Sequence, residues 1–101
     1  MKKLLFAMAI MVTIPATSFA DSDIKQEIID RCRSQMGKYG ASMVKACVDQ
    51  DIEAVNAIAK YPDKYNKIVA RCMSQMRQYG FSMVKACADQ DIEAETALSN
   101  Y

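Results

Sequence analysis

Four cysteines are the side chains of this chain best suited to chemistry, and their spacing limits what that chemistry is. Fourteen residues separate Cys32 from Cys47, and the same number separates Cys72 from Cys87. A four-cysteine zinc site usually takes its ligands from two close pairs such as C-x-x-C, and the sequence has no such pair. Short exported chains use cysteines as disulfides because their compartment is oxidising. We therefore predict two disulfides and no metal site at the cysteines.

Histidine is absent from the chain, and this excludes several kinds of catalytic site. A Ser-His-Asp triad, a Cys-His pair and histidine-ligated zinc all need an imidazole. The sequence also lacks G-x-G-x-x-G and G-x-x-x-x-G-K-[ST], so nucleotide binding has no support. Cysteines that are paired are not nucleophiles. We expect a protein that is not an enzyme and that holds no cofactor.

Two acidic segments raise the question of calcium. The segment Asp49-Gln50-Asp51-Ile52-Glu53 recurs at positions 89–93, and its acids alternate as in an EF-hand loop. Both segments lack the glycine at loop position six and the closing glutamate, and both lie in a predicted helix. The simpler interpretation is a solvated helix face on which Lys45 and Asp49, four residues apart, form an ion pair. We favour the solvated face and keep calcium binding as the alternative.

Methionine thioethers are a second candidate for metal binding. They are soft ligands suited to Cu(I), although methionine more often fills irregular cores. Of the two segments that carry the cysteine pairs, only the second has the M-x-x-M spacing, at Met73 and Met76, because Arg33 stands where Met73 does. Five methionines gather near the predicted turns: Met36, Met43, Met73, Met76 and Met83. Soft-metal binding is therefore an alternative function, and core packing is the favoured one for these residues.

Three aromatic residues lie at or beside the predicted turns: Tyr39, Tyr79 and Phe81. Exposed aromatic side chains are common anchors for a protein partner. The same side chains would equally serve to cover the end of each hairpin's core. The sequence leaves both interpretations open.

The first twenty residues have the three-part layout of a secretory signal peptide. Met1-Lys2-Lys3 precedes the apolar run from Leu4 to Ile14, and the small residues Ser18 and Ala20 are placed for cleavage. The run is well short of the roughly 20 residues that a permanent membrane helix needs. Position 21 is not the cysteine of a lipoprotein. We predict a signal peptide at 1–20 and a periplasmic or secreted product without stable membrane insertion.

Charge argues against nucleic acid as a partner. The chain has 13 basic and 12 acidic residues, and cleavage after Ala20 removes Lys2 and Lys3 but no acid. The product is therefore nearly neutral. Nucleic acid binding needs clustered lysine and arginine to displace the counterions of the phosphates.

The rest of the chain is an internal repeat. Residues 31–61 and 71–101 align at an offset of 40 without a gap, with 21 identical residues in 31 positions. A period near 40 residues is typical of units built from a pair of antiparallel helices. Apolar residues recur every three or four positions, and Tyr39-Gly40 and Tyr79-Gly80 interrupt them. We predict an all-α fold of two tandem hairpins with four helices, arranged as a bundle or as a short two-unit solenoid.

Helix caps and breakers place the boundary between the two units. Pro62 cannot continue a helix, and Asp63 is a plausible cap for the next one. Ser42 is the corresponding candidate for the second helix, and residues 21–23 are candidates for the first. The predicted units are a hairpin repeat over 21–61 and a second over 62–101.

Hairpin geometry selects one of the three possible disulfide pairings. Residues equally far from the turn of an antiparallel hairpin lie at similar heights along the two helices. Cys32 and Cys47 are symmetric about Tyr39-Gly40, and Cys72 and Cys87 have the same symmetry in the second half. We therefore predict the pairs Cys32 to Cys47 and Cys72 to Cys87.

The segment from Tyr39 to Asp51, which reads YGASMVKACVDQD, resembles a group of short exported proteins of Gram-negative bacteria that carry no assigned activity. The resemblance covers both repeats and transfers no functional residue. The absence of a catalytic set and of a cofactor motif, together with a scaffold held by disulfides, leads us to expect a non-enzymatic module. We expect such a module to bind a protein or peptide partner through a helical face or through the turn ends.

Overall fold

The structure is a computed structural model that describes residues 16–101, with side chains described from Ser22 onward. Four α-helices follow one another along the chain: α1 Ala16–Met36, α2 Ala41–Ile58, α3 Asn66–Met76 and α4 Phe81–Leu98. Short 3-10 turns join them at Gly37–Tyr39, Asp63–Tyr65 and Arg77–Tyr79. The described part of the chain contains no strand. The predicted all-α fold of four helices is confirmed.

Each half of the chain is an antiparallel hairpin closed by one disulfide. Cys32 of α1 is bonded to Cys47 of α2, and Cys72 of α3 to Cys87 of α4, with 5.7 Å between the Cα atoms in both pairs. The predicted pairing within each repeat is confirmed. Loops of this length are worth about 3 kcal/mol each in the chain-entropy model, which is a large share of the stability of so small a domain.

The turn of each hairpin depends on a glycine. Gly40 and Gly80 have φ angles of 107° and 113°, a region that residues with a Cβ rarely adopt. Each glycine is the N-cap residue of the following helix, so neither α2 nor α4 has a local side chain to cap it. The prediction that Ser42 caps the second helix is wrong, because Ser42 lies inside the first turn of α2.

The two hairpins stack side by side, with α2 packed against α4. Helix α1 packs mainly on α2 and α3 mainly on α4, so the helices form an open row and not a closed bundle. Of the two predicted arrangements, the structure therefore has the short two-unit solenoid. The buried core runs through both hairpins: Ile28, Cys32, Ala54, Cys72, Phe81, Val84 and Ala88.

Helix α1 begins earlier than the sequence pattern predicts. Its first residue is Ala16, so residues 21–23 lie inside the helix and do not cap it. Asp63 does not act as the predicted cap either, because Pro62 is the N-cap of a 3-10 turn that has no side-chain cap. Most of the predicted signal peptide falls outside the described residues, and the signal therefore stays a prediction.

Candidate functional site

The contact between the two hairpins is built around a buried carboxylate. Asp51 of α2 is 1% exposed. One of its oxygens accepts a bond from the Arg31 guanidinium of α1 and a second, of 3.1 Å, from the backbone N–H of Phe81. The other oxygen accepts a 3.1 Å bond from the N–H of Ser82. A buried carboxylate is tolerated only with such partners, so the first hairpin binds the second through Asp51.

Asp51 performs for α4 the role that a local capping residue usually performs. The first N–H groups of a helix have no partner inside the helix, and the helix dipole places partial positive charge there. Gly80 has no side chain to satisfy them, so the carboxylate of the neighbouring hairpin does. A Cβ added at Gly80 would lie 2.6 Å from a terminal nitrogen of Arg31, which shows how closely the guanidinium covers this turn.

Apolar packing and a second ion pair complete the joint, by which we mean the contact between α1–α2 and the start of α4. Phe81, Val84 and Ala88 are all buried there. The Arg77 guanidinium lies 5.1 Å from the centre of the Phe81 ring and donates two bonds, of 2.6 and 2.9 Å, to Glu27 of α1. Those bonds lower the pKa of Glu27 and raise that of Arg77. The pair closes the joint on its α1 side.

Tyr61 closes the joint at the other end. Its hydroxyl donates a hydrogen bond to Asp89 of α4, and Lys85 donates to the other carboxylate oxygen at 2.8 Å. Burial and the bond to Asp89 raise the pKa of Tyr61 to about 12. The bonds from Lys85 and then from Tyr61 lower the pKa of Asp89. Three polar contacts therefore join the hairpins, at Asp51, at Glu27 and at Asp89.

The second hairpin carries the same Arg–Asp pair without a helix to cap. Arg71 and Asp91 form an ion pair, but their side chains are 50% and 37% exposed, against 16% and 2% for Arg31 and Asp51. Within residues 16–101 no helix N-terminus lies against Asp91. Tyr101, the counterpart of Tyr61, is 99% exposed. We name this surface the trailing face: Arg71, Asp91, Ala94, Leu98 and Tyr101.

In the first hairpin, the start of the second helix lacks a carboxylate to cap it among the described residues. Gly40 is the N-cap residue of α2, no side chain of residues 22–101 caps this helix, and a Cβ at Gly40 would meet nothing within 4 Å. Ala41, Val44 and Val48 occupy the positions that Phe81, Val84 and Ala88 hold in the joint, but none of them is fully buried. We name this surface the leading face: Gly40, Ala41, Val44 and Val48.

A hollow of about 560 Å³ extends from the leading face to helix α1. Its apolar lining comes from Ala41, Val44 and Val48 together with Ile29 of α1. Two basic side chains, Arg33 and Lys45, also line it. The hollow thus combines an apolar floor with positive charge and the positive end of a helix dipole.

The aromatic residues singled out from the sequence divide into two groups. Tyr39 and Tyr79 are 61% and 55% exposed at the turns, where a partner can reach them. Phe81 is 3% exposed and packs inside the joint. Phe81 is therefore a core residue and not an exposed anchor for a partner. The first hairpin supplies the surface that buries its ring.

The acidic segments form only in part the solvated face that we expected. Lys45 and Asp49 do form an exposed ion pair with an N to O distance of 2.7 Å. Asp51 departs from the expectation because it is buried in the joint. The sulfurs of Cys72 and Cys87 lie near a carboxylate oxygen of Asp91, but both sulfurs are held in a disulfide and are not available as metal ligands.

Three of the five methionines come together beside the joint. Met36, Met43 and Met83 line one hollow of about 290 Å³, together with Asp51 and Tyr79. Met73 and Met76 do not line it and pack instead against the core of the hairpins. The structure thus separates the M-x-x-M pair of the second half from the methionines that share a cavity.

No helix in the part of the chain from Ala16 onward combines the length and the apolar character needed to cross a membrane. No protein family, no curated protein and no solved structure matches the chain.

Proposed function

We propose that this chain is an exported, non-enzymatic module that binds a protein partner through the leading face. The observation that supports the proposal is that no part of the described chain covers the leading face of the first hairpin. Its helix α2 starts without a side-chain cap beside a hollow lined by Ile29, Val44 and Val48. In the second hairpin the same surface is covered by protein. The fold therefore contains one occupied example of this surface and one that is open.

The chemistry of the leading face indicates the kind of partner. An apolar side chain fits the hollow, since alanine at position 41 leaves the space that the Phe81 ring fills in the joint. A carboxylate fits beside it, because the N–H groups of Ala41 and Ser42 and the side chain of Arg33 all attract negative charge. We expect a partner that presents an apolar surface with an acidic residue at its edge.

Two features support a binding role over catalysis. The sequence has no histidine to act as a general base. Asp51, the buried carboxylate of the joint, already accepts bonds from three donors and has no free oxygen for proton transfer. The disulfides and the signal-like start support a periplasmic or secreted location.

Site-specific photo-crosslinking tests the proposal. A benzophenone amino acid is introduced at Ala41 on the leading face and, as a matched control, at Ala70, which is exposed on α3. Cells of an exporting host are irradiated, and adducts are identified by mass spectrometry. We expect a discrete protein adduct from position 41 and none from position 70. Equal labelling at both positions, or no adduct at either, would contradict a binding role for the leading face.

Soft-metal binding is the second candidate, and the shared cavity of Met36, Met43 and Met83 favours it. Three thioethers suit Cu(I). Native mass spectrometry of the oxidised protein with Cu(I) tests this, with a Met43→Leu variant as the comparison. Uptake of one ion that is lost in the variant would support the metal site, and the absence of stoichiometric uptake would exclude it. The same experiment with Ca²⁺ tests the acidic segments.

A further inference from the structure

We infer that the occupant of the leading face is a second copy of this chain, whose trailing face docks there head to tail. The inference rests on the proposed function, because it names the protein that the leading face binds. Its basis is the joint itself. Within residues 16–101, one trailing-type surface already meets one leading-type surface, and one surface of each kind is left uncovered.

The central contact of the joint has all its groups available between copies. Asp91 corresponds to Asp51, and it has no helix to cap among the described residues. The N–H groups of Ala41 and Ser42 correspond to those of Phe81 and Ser82. Among the described residues, no side chain caps Ala41 and Ser42. Asp91 of one copy can therefore accept from α2 of the next as Asp51 accepts from α4.

An arginine could also cover the glycine turn of a second copy. In the joint, the Arg31 guanidinium lies over Gly80. Its counterpart Arg71 is half-exposed on the trailing face, and Gly40 has open space around its Cα. A residue with a Cβ at position 40 would obstruct this approach, as one at position 80 would obstruct it in the joint. The two uncovered surfaces are therefore compatible in shape at the point of closest contact.

The hydrogen bond from Tyr61 to Asp89 also has matching groups that could form it between two copies. Tyr61 donates to Asp89, which also accepts from Lys85. Next to the leading face, Asp49 accepts from Lys45 in the same i, i+4 arrangement, and it is exposed. The exposed hydroxyl of Tyr101 can donate to Asp49 of the next copy, as Tyr61 donates to Asp89. Two of the three polar contacts of the joint can therefore form between copies.

Two differences, which involve three positions, make the contact between copies weaker than the joint. Ala41 stands where Phe81 fills the joint, and the Glu27 to Arg77 pair becomes Lys67 and Gly37. The missing ring and ion pair predict reversible association and not a permanent complex. They also identify two changes that should strengthen it. A Cβ at Gly37 meets nothing within 4 Å, so an arginine side chain can be placed there.

The geometry predicts chain growth instead of a closed dimer. The trailing and leading faces are different surfaces of the same molecule, so the contact is heterologous. Each added copy docks through one of its two faces and leaves the other uncovered, so the assembly always ends in one leading face and one trailing face. Unless the rotation between copies closes a ring, the assembly extends as a longer solenoid whose repeat unit is the hairpin.

Sedimentation analysis over a concentration series tests the inference. The oxidised protein, produced from the full-length sequence, is compared with Asp91→Ala, with Ala41→Phe and with the control Asp30→Ala, which removes an exposed carboxylate of α1. We expect the average mass of the unaltered protein to rise beyond that of a dimer. Asp91→Ala should weaken association by about tenfold or more, because charge-assisted bonds to two N–H groups are lost. Ala41→Phe should strengthen association, and Asp30→Ala should have no effect.

A rescue experiment adds a readout that a folding defect cannot imitate. The double variant Gly37→Arg, Lys67→Glu rebuilds the missing ion pair between copies and should associate more tightly than either single variant. A protein that stays monomeric at all concentrations, with Ala41→Phe also monomeric, would overturn the inference. Equal association of Asp91→Ala and the unaltered protein would overturn it as well.

The crosslinking experiment separates this inference from the proposed function. An adduct from position 41 with the mass of two copies supports both. An adduct with a different protein leaves the proposed function standing and rejects the second copy as the occupant. The absence of any adduct rejects the proposed function itself.

Discussion

The pairs Arg31–Asp51 and Arg71–Asp91 have the same residues, the same spacing and the same place in their hairpins, yet only the first is buried. Asp51 accepts from two backbone N–H groups of α4, and Asp91 meets no helix among residues 16–101. The difference therefore comes from what lies next to each hairpin. The Arg31–Asp51 pair holds the two hairpins together, and the Arg71–Asp91 pair lies on the surface.

The comparison also shows how this fold joins its units. A hairpin whose second helix starts at a glycine cannot cap that helix with its own side chain. The carboxylate that does so comes from the hairpin before it. The stability of α4 therefore depends on the first hairpin, whereas α2 begins uncapped within the described chain.

The largest expected effect is the contrast between Asp51→Ala and Asp91→Ala. Removing Asp51 leaves the Arg31 charge and two helix N–H groups without a partner inside the joint, which should cost about 3–5 kcal/mol of unfolding free energy. Removing Asp91 from its exposed pair should cost less than about 1 kcal/mol. Urea unfolding of both variants, with the disulfides intact, measures the difference. Equal losses would show that the joint does not depend on Asp51.

The next effect comes from the aromatic ring of the joint. Phe81→Ala should destabilise the protein by about 3–5 kcal/mol, because it removes a buried ring and leaves a cavity. Ala41→Phe, at the matching position of the leading face, should leave the stability of the monomer nearly unchanged since the hollow has space for the ring. Thermal unfolding at a concentration low enough to suppress association compares the two. A large loss from Ala41→Phe would mean that the two faces are not equivalent.

The sequence was sufficient for the elements inside one hairpin and insufficient for the contact between two. The symmetry of Cys32 and Cys47 about the turn follows from helix geometry alone, and it gave the pairing that the structure has. The burial of Asp51 does not follow from its charge, because an acidic segment within a helix is expected on the solvated face. The position four residues after Cys47 is Asp51, so the side chain next to the disulfide on the buried face is a carboxylate.

The joint itself depends on where the second hairpin lies, and helical periodicity does not contain that information. The sequence nevertheless contains one indication of the joint, at positions 41 and 81. The two copies differ there by Ala41 and Phe81 inside an otherwise conserved stretch. A large apolar residue in only one copy indicates a surface that is covered in that copy alone.

The contrast between Tyr61 and Tyr101 predicts an effect of alkaline pH. The pKa of Tyr61 is raised from 10.0 to about 12 by burial and by the bond to Asp89. The folded protein therefore holds this proton more tightly than the unfolded chain does, and the stabilisation is present below pH 10 and lost as the pH rises to 12. Spectrophotometric titration should show Tyr61 ionising near pH 12. Tyr61→Phe should remove that step, and Tyr101→Phe should not, because Tyr101 is fully exposed.

The smallest expected effect concerns the ion pair on the α1 side of the joint, which has no counterpart on the trailing face because Lys67 replaces Glu27. The bonds from Arg77 lower the pKa of Glu27 below 4.5 in the folded protein. Their contribution is thus present above pH 4.5 and is lost as the pH falls through the lowered value. Both side chains are more than a third exposed, so solvent screens the pair and Glu27→Gln should cost less than about 1 kcal/mol.

Urea midpoints at pH 7 and pH 3 separate this contribution from the others. At pH 7 Glu27→Gln should be slightly less stable than the unaltered protein, and this difference should be smaller at pH 3, because the carboxylate gains protons as the pH falls below 4.5. Lys67→Gln is the control at the matching position of the second hairpin, and its difference from the unaltered protein should not change between the two pH values. If Glu27→Gln keeps the same deficit at both, its carboxylate acts through packing and not through its charge. The joint would then depend on Asp51 and Tyr61 for its polar contacts.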